Sequence, residues 1–424
     1  MFEEFFDSSL RIQELRNSPD VRLLEGFVHE LCQAGYARMT ARRHIRTAEH
    51  LVYWMGRQGI PMTTVDERLA QDFARHLDCC QCPGYGCTQR LNLQSGVRVF
   101  LNYLRSAGGL RSRTSQQAVL RTAIRQPAVQ EPVLLTSFFQ WMRQQRGTKD
   151  CTLYNYRLIL CDLLKSLGED PSKFDAHSLR KFVLEKGQRG WGTAKRCTTA
   201  TRMFLRFLIA HGKCPAGLDA SIPTLAHWSL SSLPQYIQPD EVELVIASCD
   251  PATRVGKRDR AILLLLAHLG FRAGDIVQLR LGDLDWKEAW IQVSGKGRCQ
   301  TRLPLTKEIG DAIATYLKDG RPQTDTDRLF VRSLAPFRAL TYHCAISEIV
   351  NRAMRRAGVT CPSRGAAHIL RHSAASSMLR QGASLQEIAV ILRHRSIKTT
   401  EIYAKVDVSA LRQIAQPWPE VEPC

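Results

Sequence analysis

Residues that can act on a phosphate group are concentrated near the C-terminal end of the sequence. His368 and Arg371 lie three residues apart in an apolar-periodic segment, so on a helix they project from one face and can contact one group. His394 follows 23 residues later, and Tyr403 stands nine residues beyond it. A guanidinium binds the non-bridging oxygens of a phosphodiester, and a phenol can attack the phosphorus once its proton is removed. These residue types suit covalent attack on a phosphodiester.

Two helices and a short third helix are predicted to position these groups. Gly382 stands where a left-handed cap would end the first helix, and Ser384 with Glu387 forms a capping box that opens the second. The second helix delivers His394 at its end, and the short helix that follows carries Tyr403. Apolar residues at helical spacing mark the buried face of the second helix: Leu385, Ile388, Ala389, Ile391 and Leu392.

This pattern, His-x-x-Arg followed by a His and then a Tyr in a Thr-Thr-x-x-Tyr setting, resembles the C-terminal signature of the tyrosine site-specific recombinases, the lambda-integrase-like or phage integrase family. Upstream, the segment from Phe271 to Leu279 resembles the family's Gly-Leu-Arg-x-Ser-Glu-Leu box, so Arg272 matches its first catalytic arginine. Phe271 replaces the usual Leu, and Gly274-Asp275 replaces the usual Ser-Glu. Lys296, 24 residues after Arg272, occupies the family's lysine position in a predicted hairpin turn.

The resemblance implies an enzyme that cleaves and rejoins DNA through a 3′-phosphotyrosine, with no ATP and no required cofactor. Tyr403 would be the nucleophile, His368 the base that accepts its proton, and Lys296 the acid that protonates the leaving 5′-oxygen. Three further groups would stabilise the transition-state charge: Arg272, Arg371 and His394. The predicted role is integration, excision or resolution of a mobile element. The alternatives are a catalytically silent DNA-binding architectural or regulatory protein on the same scaffold and an enzyme that only relaxes DNA.

Charge and hydropathy favour a polyanionic partner over a membrane. The 424 residues carry a formal net charge of +19, and many Lys and Arg side chains together release counterions when they neutralise phosphates. The longest apolar run, near residues 261–267, is far shorter than the roughly 18 residues that span a bilayer, and the acidic start lacks a signal peptide's basic region. Double-stranded DNA is therefore the expected partner, and a cytoplasmic, nucleoid-associated location is expected.

The sequence predicts a multidomain, mainly α protein. Helical N-terminal and core-binding (SAM-like) bundles precede an α+β tyrosine-recombinase catalytic domain with a small β-sheet. The segments that begin at Arg98 and Arg202 are similar and lie 104 residues apart, which favours a duplicated module, although unrelated amphipathic bundles can also look alike. The predicted boundaries are an N-terminal helical domain at 1–108, a linker at 109–130, the core-binding domain at 131–215, a second linker at 216–235, the catalytic domain at 236–406 and a tail at 407–424.

Contacts with DNA are predicted mainly in the core-binding domain. A short stretch after a Gly-rich turn combines cationic and hydroxyl side chains near a helix N-terminus, which suits phosphate contact. The predicted DNA-binding residues are Arg157, Thr193, Lys195, Arg196 and Arg202. The resemblance also implies a homotetramer on paired DNA sites, in which the C-terminal tail docks on a neighbouring protomer, and it allows an accessory DNA-binding protein.

A cysteine-rich segment of the N-terminal domain has no place in this chemistry. Most of the 14 cysteines are scattered singly, which favours reduced thiols. Five soft ligands, however, fall within twelve residues: His76, Cys79, Cys80, Cys82 and Cys87. Zinc binds such side chains tetrahedrally, and the candidate ligands are His76, Cys79, Cys82 and Cys87. No second Cys-x-x-Cys pair accompanies them, so reduced loop thiols are the alternative.

Overall fold

The computed structural model describes residues 1–18, 20–62, 67–77, 79–85, 90–107, 132–188, 190–224, 233–294, 300–362, 365–406 and 412. The chain divides into two compact units, one formed by residues 1–115 with 232–424 and the other by residues 116–231. The predicted fold class is confirmed, because most of the described elements are helices and the C-terminal part also contains a small antiparallel sheet. Within the described ranges, no helix combines the length and apolar character needed to cross a membrane. The predicted linker at 109–130 and the predicted tail at 407–424 lie outside the described residues, apart from residue 412.

The N-terminal part of the larger unit is a bundle of amphipathic helices. Its helices are α1 (Ser9–Arg16), α2 (Val21–Gln33), α3 (Arg38–Arg57), α4 (Glu67–His76) and α5 (Arg90–Ser106). Phe27 and Phe100 meet edge-on in its core, with 4.9 Å between their ring centroids. Helices α3 and α5 approach closely because Gly96 presents no side chain to Thr47, whose hydroxyl oxygen lies 2.8 Å from the place a Cβ would take. The helical bundle predicted for this part of the chain is confirmed.

The smaller unit is a second helical bundle. Its helices are α6 (Val133–Arg146), α7 (Asp150–Leu167), α8 (Ala176–Gly187) and α9 (Trp191–Ala210). Asp175 caps α8 by accepting a hydrogen bond from the Ser178 N–H at 2.9 Å. Phe138, Phe204 and Phe207 form an aromatic cluster, with neighbouring ring centroids 5.3 to 6.4 Å apart. The proposed duplication and the domain boundaries stay predictions.

The C-terminal part of the larger unit surrounds one buried helix. Its helices are α10 (Pro239–Ala247), α11 (Arg254–Ala267), α12 (Ala273–Gln278), α13 (Lys307–Thr315), α14 (His343–Arg356), α15 (Ala366–Arg380) and α16 (Leu385–Ile391). The apolar run of α11 is buried on every face, which explains why its sequence shows no amphipathic alternation. Helix α11 begins earlier than its apolar run because the Thr253 hydroxyl accepts a hydrogen bond from the Gly256 N–H at 3.0 Å.

The small sheet packs beside these helices. Its antiparallel strands, in the order β1-β2-β3, are β1 (Leu284–Asp285), β2 (Trp290–Ser294) and β3 (Gln300–Pro304). The register pairs Ile291 with Leu303, and both side chains face the core. The predicted hairpin is therefore confirmed, whereas β1 is too short to show an alternating pattern. Lys296, predicted to lie in the turn of this hairpin, is outside the described residues.

Local capping signals at the end of the chain are confirmed as well. Gly382 adopts a φ of 90°, and Ser384 and Glu387 exchange both hydrogen bonds of a capping box at the start of α16. The short helix predicted after α16 consists of two 3₁₀ turns, Ile397–Thr399 and Glu401–Val406. Together with α15 and α16, these turns form a separate small cluster of buried side chains: Ala375, Ile388, Leu392 and Tyr403.

Candidate active site

Arg371 lies at the centre of the candidate site, on the inner face of α15. The residue is 5% exposed, and its guanidinium donates hydrogen bonds to the backbone carbonyls of Gly270 and Leu392. Burial, with Arg272 and Arg393 as like-charged neighbours, lowers the pKa of Arg371 to about 9. The group is still protonated at neutral pH, and the two carbonyls fix the plane of its remaining donors.

The turn between α11 and α12 places Arg272 beside Arg371. Gly270 has a φ of 57°, and a Cβ on it would lie 2.4 Å from the Leu392 side chain, so only glycine fits this turn without displacement. Arg272 then begins α12 as its N-cap residue, and its guanidinium donates a 3.0 Å hydrogen bond to the carbonyl of Arg393. The same turn therefore supplies one carbonyl to Arg371 and directs the second guanidinium toward the end of α16.

The two departures from the family's arginine box meet at a third arginine. Asp275 binds Arg393 through a 2.7 Å ion pair whose side chains are 11% and 5% exposed. The Arg393 guanidinium also lies 4.7 Å from the ring centroid of Phe271, within the range of a cation–π contact. Asp275 additionally accepts the backbone N–H of Arg272 at 3.4 Å. Arg272 is thus held in place by contacts with Arg393 and Asp275, and Arg393 is in turn held by Asp275 and Phe271. The spacing of the motif did not indicate this cluster.

Tyr403 is buried, with 2% of its surface exposed, and its hydroxyl forms a 2.8 Å hydrogen bond with Nδ1 of His372. Burial raises the pKa of Tyr403 to about 12, and the charge of Arg371 acts in the opposite direction. Burial also lowers the pKa of His372 to about 4, with His368 and Arg371 as further causes, so this imidazole is neutral at pH 7. The sequence interpretation missed His372, although it lies one helical turn after His368, and this i, i+4 spacing could have pointed to it.

His394 is held by a hydroxyl group at the end of α16. Its Nδ1 forms a 2.8 Å hydrogen bond with the hydroxyl of the fully buried Thr400, which leaves Nε2 to face a ligand. Burial lowers the pKa of His394 to about 4, and the charges of Arg371 and Arg272 lower it further. His368, by contrast, lies at the exposed edge of α15, and desolvation of its ring, followed by the charges of the two arginines, lowers its pKa.

The structure therefore brings five of the six predicted catalytic residues into one electrostatically coupled region: Arg272, Arg371, His368, His394 and Tyr403. Three arginines and one buried carboxylate lie in this region, which gives it a net positive charge suited to a phosphodiester. Neutral imidazoles next to cations can accept or donate a proton without adding to the positive charge. The sixth predicted residue, Lys296, lies outside the described residues.

The predicted DNA-binding residues of the smaller unit differ in their surroundings. The Lys195 ammonium lies 5.0 Å from the Trp191 ring centroid at the exposed start of α9. Arg196 is also exposed, and Thr193 is half-buried on the first turn of the same helix. Arg202 donates hydrogen bonds to the carbonyls of residues 222 and 223 at 2.8 and 3.4 Å, so its guanidinium is used within the unit. Arg157 is half-buried on α7.

The candidate zinc ligands are arranged differently from the set predicted from sequence. His76 and Cys82 lie together, with 3.4 Å between Nε2 and Sγ. Cys79 is exposed and its thiol donates to the carbonyl of His76 at 3.6 Å, so it turns away from the other ligands. Cys87 lies outside the described residues. Cys80 takes the place that Cys79 was expected to fill, because the turn after α4 directs alternate side chains inward.

Comparison with known proteins bears on the identity of this site. Residues 235–409 match the model of the phage integrase family. A protein of Sinorhizobium fredii named as an integrase/recombinase, y4rA, is 35% identical over 399 residues, which is 93% of each chain. The chain belongs to the phage integrase family. It is thus related to the tyrosine site-specific recombinases, which need no cofactor.

More distant members share the same architecture. Tyrosine recombinase XerC of Anoxybacillus flavithermus is 26% identical over 295 residues, which is 66% of this chain and 95% of XerC. A structure of the XerH site-specific recombinase bound to a palindromic difH substrate superposes with a TM-score of 0.53 and 20% identity, over 66% of this chain and 83% of that one. A lambda integrase dimer bound to a COC' core site gives a TM-score of 0.52 at 16% identity, over 80% and 91% of the two chains. These two structures support the fold assignment.

Proposed function

We propose that this protein is a recombinase that cleaves and rejoins double-stranded DNA at specific sites, with Tyr403 forming a 3′-phosphotyrosine intermediate. The observation that carries the proposal is the 2.8 Å hydrogen bond between the Tyr403 hydroxyl and His372, beside the charged Arg371. A phenol attacks phosphorus efficiently only as it loses its proton, and here a neutral imidazole is in hydrogen-bonding contact with that proton. Any buried tyrosine hydroxyl needs a hydrogen-bond partner, but one that served only for packing would not need a buried arginine beside it.

Arg371 and Arg272 are the proposed ligands of the scissile phosphate. Two N–H groups of Arg371 are bound by carbonyls, and its remaining donors can address the non-bridging oxygens in a fixed orientation. The site is positive and largely shielded from water, so the negative charge of a pentacovalent transition state is stabilised more strongly than in bulk solvent. His394 adds a donor through Nε2, and Thr400 positions its ring.

In the proposed proton transfers, the Tyr403 hydroxyl gives its proton to an imidazole as its oxygen bonds to phosphorus. The bond between phosphorus and the 5′-oxygen breaks, and that oxygen takes a proton from Lys296. The resemblance assigned the base role to His368, whereas the hydrogen bond favours His372. Attack by a 5′-hydroxyl on the phosphotyrosine reverses these steps and reseals the strand, so no external energy source is consumed.

The phosphotyrosine is tested with nicked duplexes taken from the DNA that flanks the gene, in which the short cleaved fragment diffuses away and traps the covalent complex. Wild type should give an adduct that survives SDS electrophoresis, and Tyr403→Phe should give none while still binding DNA. The matched pair His368→Ala and His372→Ala then separates the candidate bases, because loss of the base slows adduct formation roughly 10²- to 10⁴-fold. Tight, site-selective binding without any adduct would instead support the catalytically silent DNA-binding protein.

The biological role and the assembly extend this proposal. We infer integration, excision or resolution of a mobile element, carried out by a homotetramer on paired sites. The relatives described as an integrase/recombinase and the neighbours solved with bound DNA support a DNA partner, as does the net charge of +19. Light scattering of the chain with a duplex that carries two sites should give the mass of four protomers, whereas a stable one-protomer complex would contradict the assembly.

A further inference from the structure

A cluster of soft ligands lies in the N-terminal bundle and takes no part in the proposed reaction. His50 projects from α3, His76 stands at the end of α4, and Cys80 and Cys82 belong to the turn that follows α4. One ligand atom from each of these residues lies within 4.8 Å of all the others. His50 is 26 residues away from His76 in sequence, so tertiary folding rather than local spacing assembles the group.

The distances within the cluster match those of a tetrahedral metal site. Cys80 Sγ lies 3.4 Å from Nε2 of His50, and Cys82 Sγ lies 3.4 Å from Nε2 of His76. Zinc binds thiolate sulfur at about 2.3 Å and imidazole nitrogen at about 2.0 Å, which places S and N donors about 3.5 Å apart at a tetrahedral angle. Two of the S–N pairs have this spacing and all pairs lie within 4.8 Å, so side-chain movements of about 1 Å would bring the four donors around one ion.

Aromatic rings hold the two imidazoles in place. The ring of His50, which is 4% exposed, stacks on Tyr85 with 4.2 Å between centroids and 4° between planes. The ring of His76 stacks on Trp54 at 5.5 Å, and Phe73 contacts the His50 ring edge-on at 5.1 Å. Ring orientation is therefore set by packing before any ion binds, which lowers the conformational entropy lost on binding.

The backbone of the turn also favours thiolate ligands. The N–H of Cys82 points at Cys80 Sγ from 3.4 Å, a contact that stabilises negative charge on sulfur. The thiol of Cys79 contacts the carbonyl of His76, so the two cysteines that face His50 and His76 are Cys80 and Cys82. We propose that His50, His76, Cys80 and Cys82 bind one structural zinc ion that fastens the turn after α4 to α3.

The proposed zinc site is structural, because it has four protein ligands and lies in the N-terminal bundle, away from the catalytic residues. Four protein ligands fill a tetrahedral zinc and leave no position for water or substrate, so the ion has no catalytic role. The turn at residues 79–85 contains no helix or strand, and a metal crosslink to α3 replaces the backbone hydrogen bonds that such elements would supply. Zinc content and stability of the bundle, rather than strand transfer, are the properties that the site should control.

Metal analysis of the purified full-length chain, expressed with added zinc and freed of loosely bound metal, tests this proposal. Wild type should contain one zinc per chain, and Cys82→Ser should lose it. Cys79→Ser is the matched control, because it removes a neighbouring thiol that turns away, and it should keep the full complement. Cys87→Ser tests the ligand set predicted from sequence and should also keep the metal. Zinc-free wild type, equal zinc in all variants, or loss of zinc from either control would overturn the assignment.

A second readout remains informative if a cysteine variant folds poorly. Wild type reconstituted with Co²⁺ should show the intense visible bands of a tetrahedral, thiolate-bound ion, and zinc should displace them stoichiometrically. A chelator should lower the melting temperature of wild type and leave that of His50→Ala unchanged. Weak, octahedral-type Co²⁺ bands, or a melting temperature that does not respond to the chelator, would show that these residues bind no structural metal.

Discussion

The buried ion pair between Asp275 and Arg393 provides a quantitative test of how the site is braced. The two charges are 2.7 Å apart and are almost fully removed from solvent. At an effective dielectric constant of about 20, charges roughly 3 Å apart attract each other by about 5 kcal/mol, and desolvation offsets much of this. Removing one partner leaves the other charge buried without compensation, which costs about 3–5 kcal/mol. Asp275→Asn should therefore destabilise the C-terminal part of the chain by about 3 kcal/mol.

A double-mutant cycle separates the pair from the other contacts of each side chain. Arg393→Met loses the cation–π contact with Phe271 and keeps the left-handed φ of 54°, because methionine carries the same Cβ as arginine and meets the same steric cost there. We expect a loss of about 3 kcal/mol for this variant and nearly the same loss for the double variant, because two buried neutral groups need no counter-charge. The coupling free energy, measured by urea unfolding, should be about 2–3 kcal/mol.

Activity gives the second half of this test. The carbonyl of Arg393 accepts a hydrogen bond from Arg272, so displacement of residue 393 should slow cleavage of a nicked substrate more than it weakens DNA binding. Phe271→Leu, which keeps the ion pair and removes only the ring, is the matched control and should change stability by less than about 1.5 kcal/mol. Additive single losses below about 1 kcal/mol, as for an exposed ion pair, would refute the reasoning.

Three further predictions concern other parts of the chain. Burial lowers the pKa of His372 and His394 to about 4, below the unfolded value of about 6.5. The free energy of unfolding should therefore fall as the pH drops from about 6.5 to 4, because the unfolded chain binds these protons more readily. In urea titrations at each pH, His372→Gln should show a smaller fall than wild type. Arg202→Ala should lower stability by about 1–3 kcal/mol with little change in the salt dependence of DNA binding, whereas Lys195→Ala should reduce that salt slope by about 1 in filter-binding assays. Gly270→Ala should cost about 2–3 kcal/mol in thermal unfolding, because of its positive φ and its contact with α16.

Features set by neighbouring residues could be predicted from the sequence. The capping box of Ser384 and Glu387, the left-handed Gly382 and the β2–β3 hairpin depend on residues a few positions apart, and the structure confirms them. The catalytic residues were predicted from the family motif. The motif relates residues that are far apart in the sequence, whereas hydrophobic periodicity describes only a single helix or strand. Strand β1, with two residues, gave no periodic signal at all.

Features that depend on tertiary contacts could not be predicted in the same way. Asp275 and Arg393 are 118 residues apart, and no spacing rule links them. His50 lies beside His76, Cys80 and Cys82 because α3 contacts α4 through aromatic side chains, and no local spacing links it to them. Arg202 was predicted to contact DNA, but its guanidinium donates a hydrogen bond to the carbonyl of residue 222, which lies 20 positions away in the sequence. In each case the partner is chosen by packing between elements rather than by local propensity.

The burial of Tyr403 limits when its hydroxyl is accessible for reaction. Its side chain belongs to the small cluster formed with α15 and α16, apart from the main core around α11, so the segment can open without unfolding the rest of the protein. Because 2% of the Tyr403 side chain is exposed, we expect this segment to move when its oxygen reacts with phosphorus in the proposed reaction. We therefore expect a free protomer to keep the Tyr403 hydroxyl covered, so that binding to unrelated DNA alone does not lead to strand cleavage.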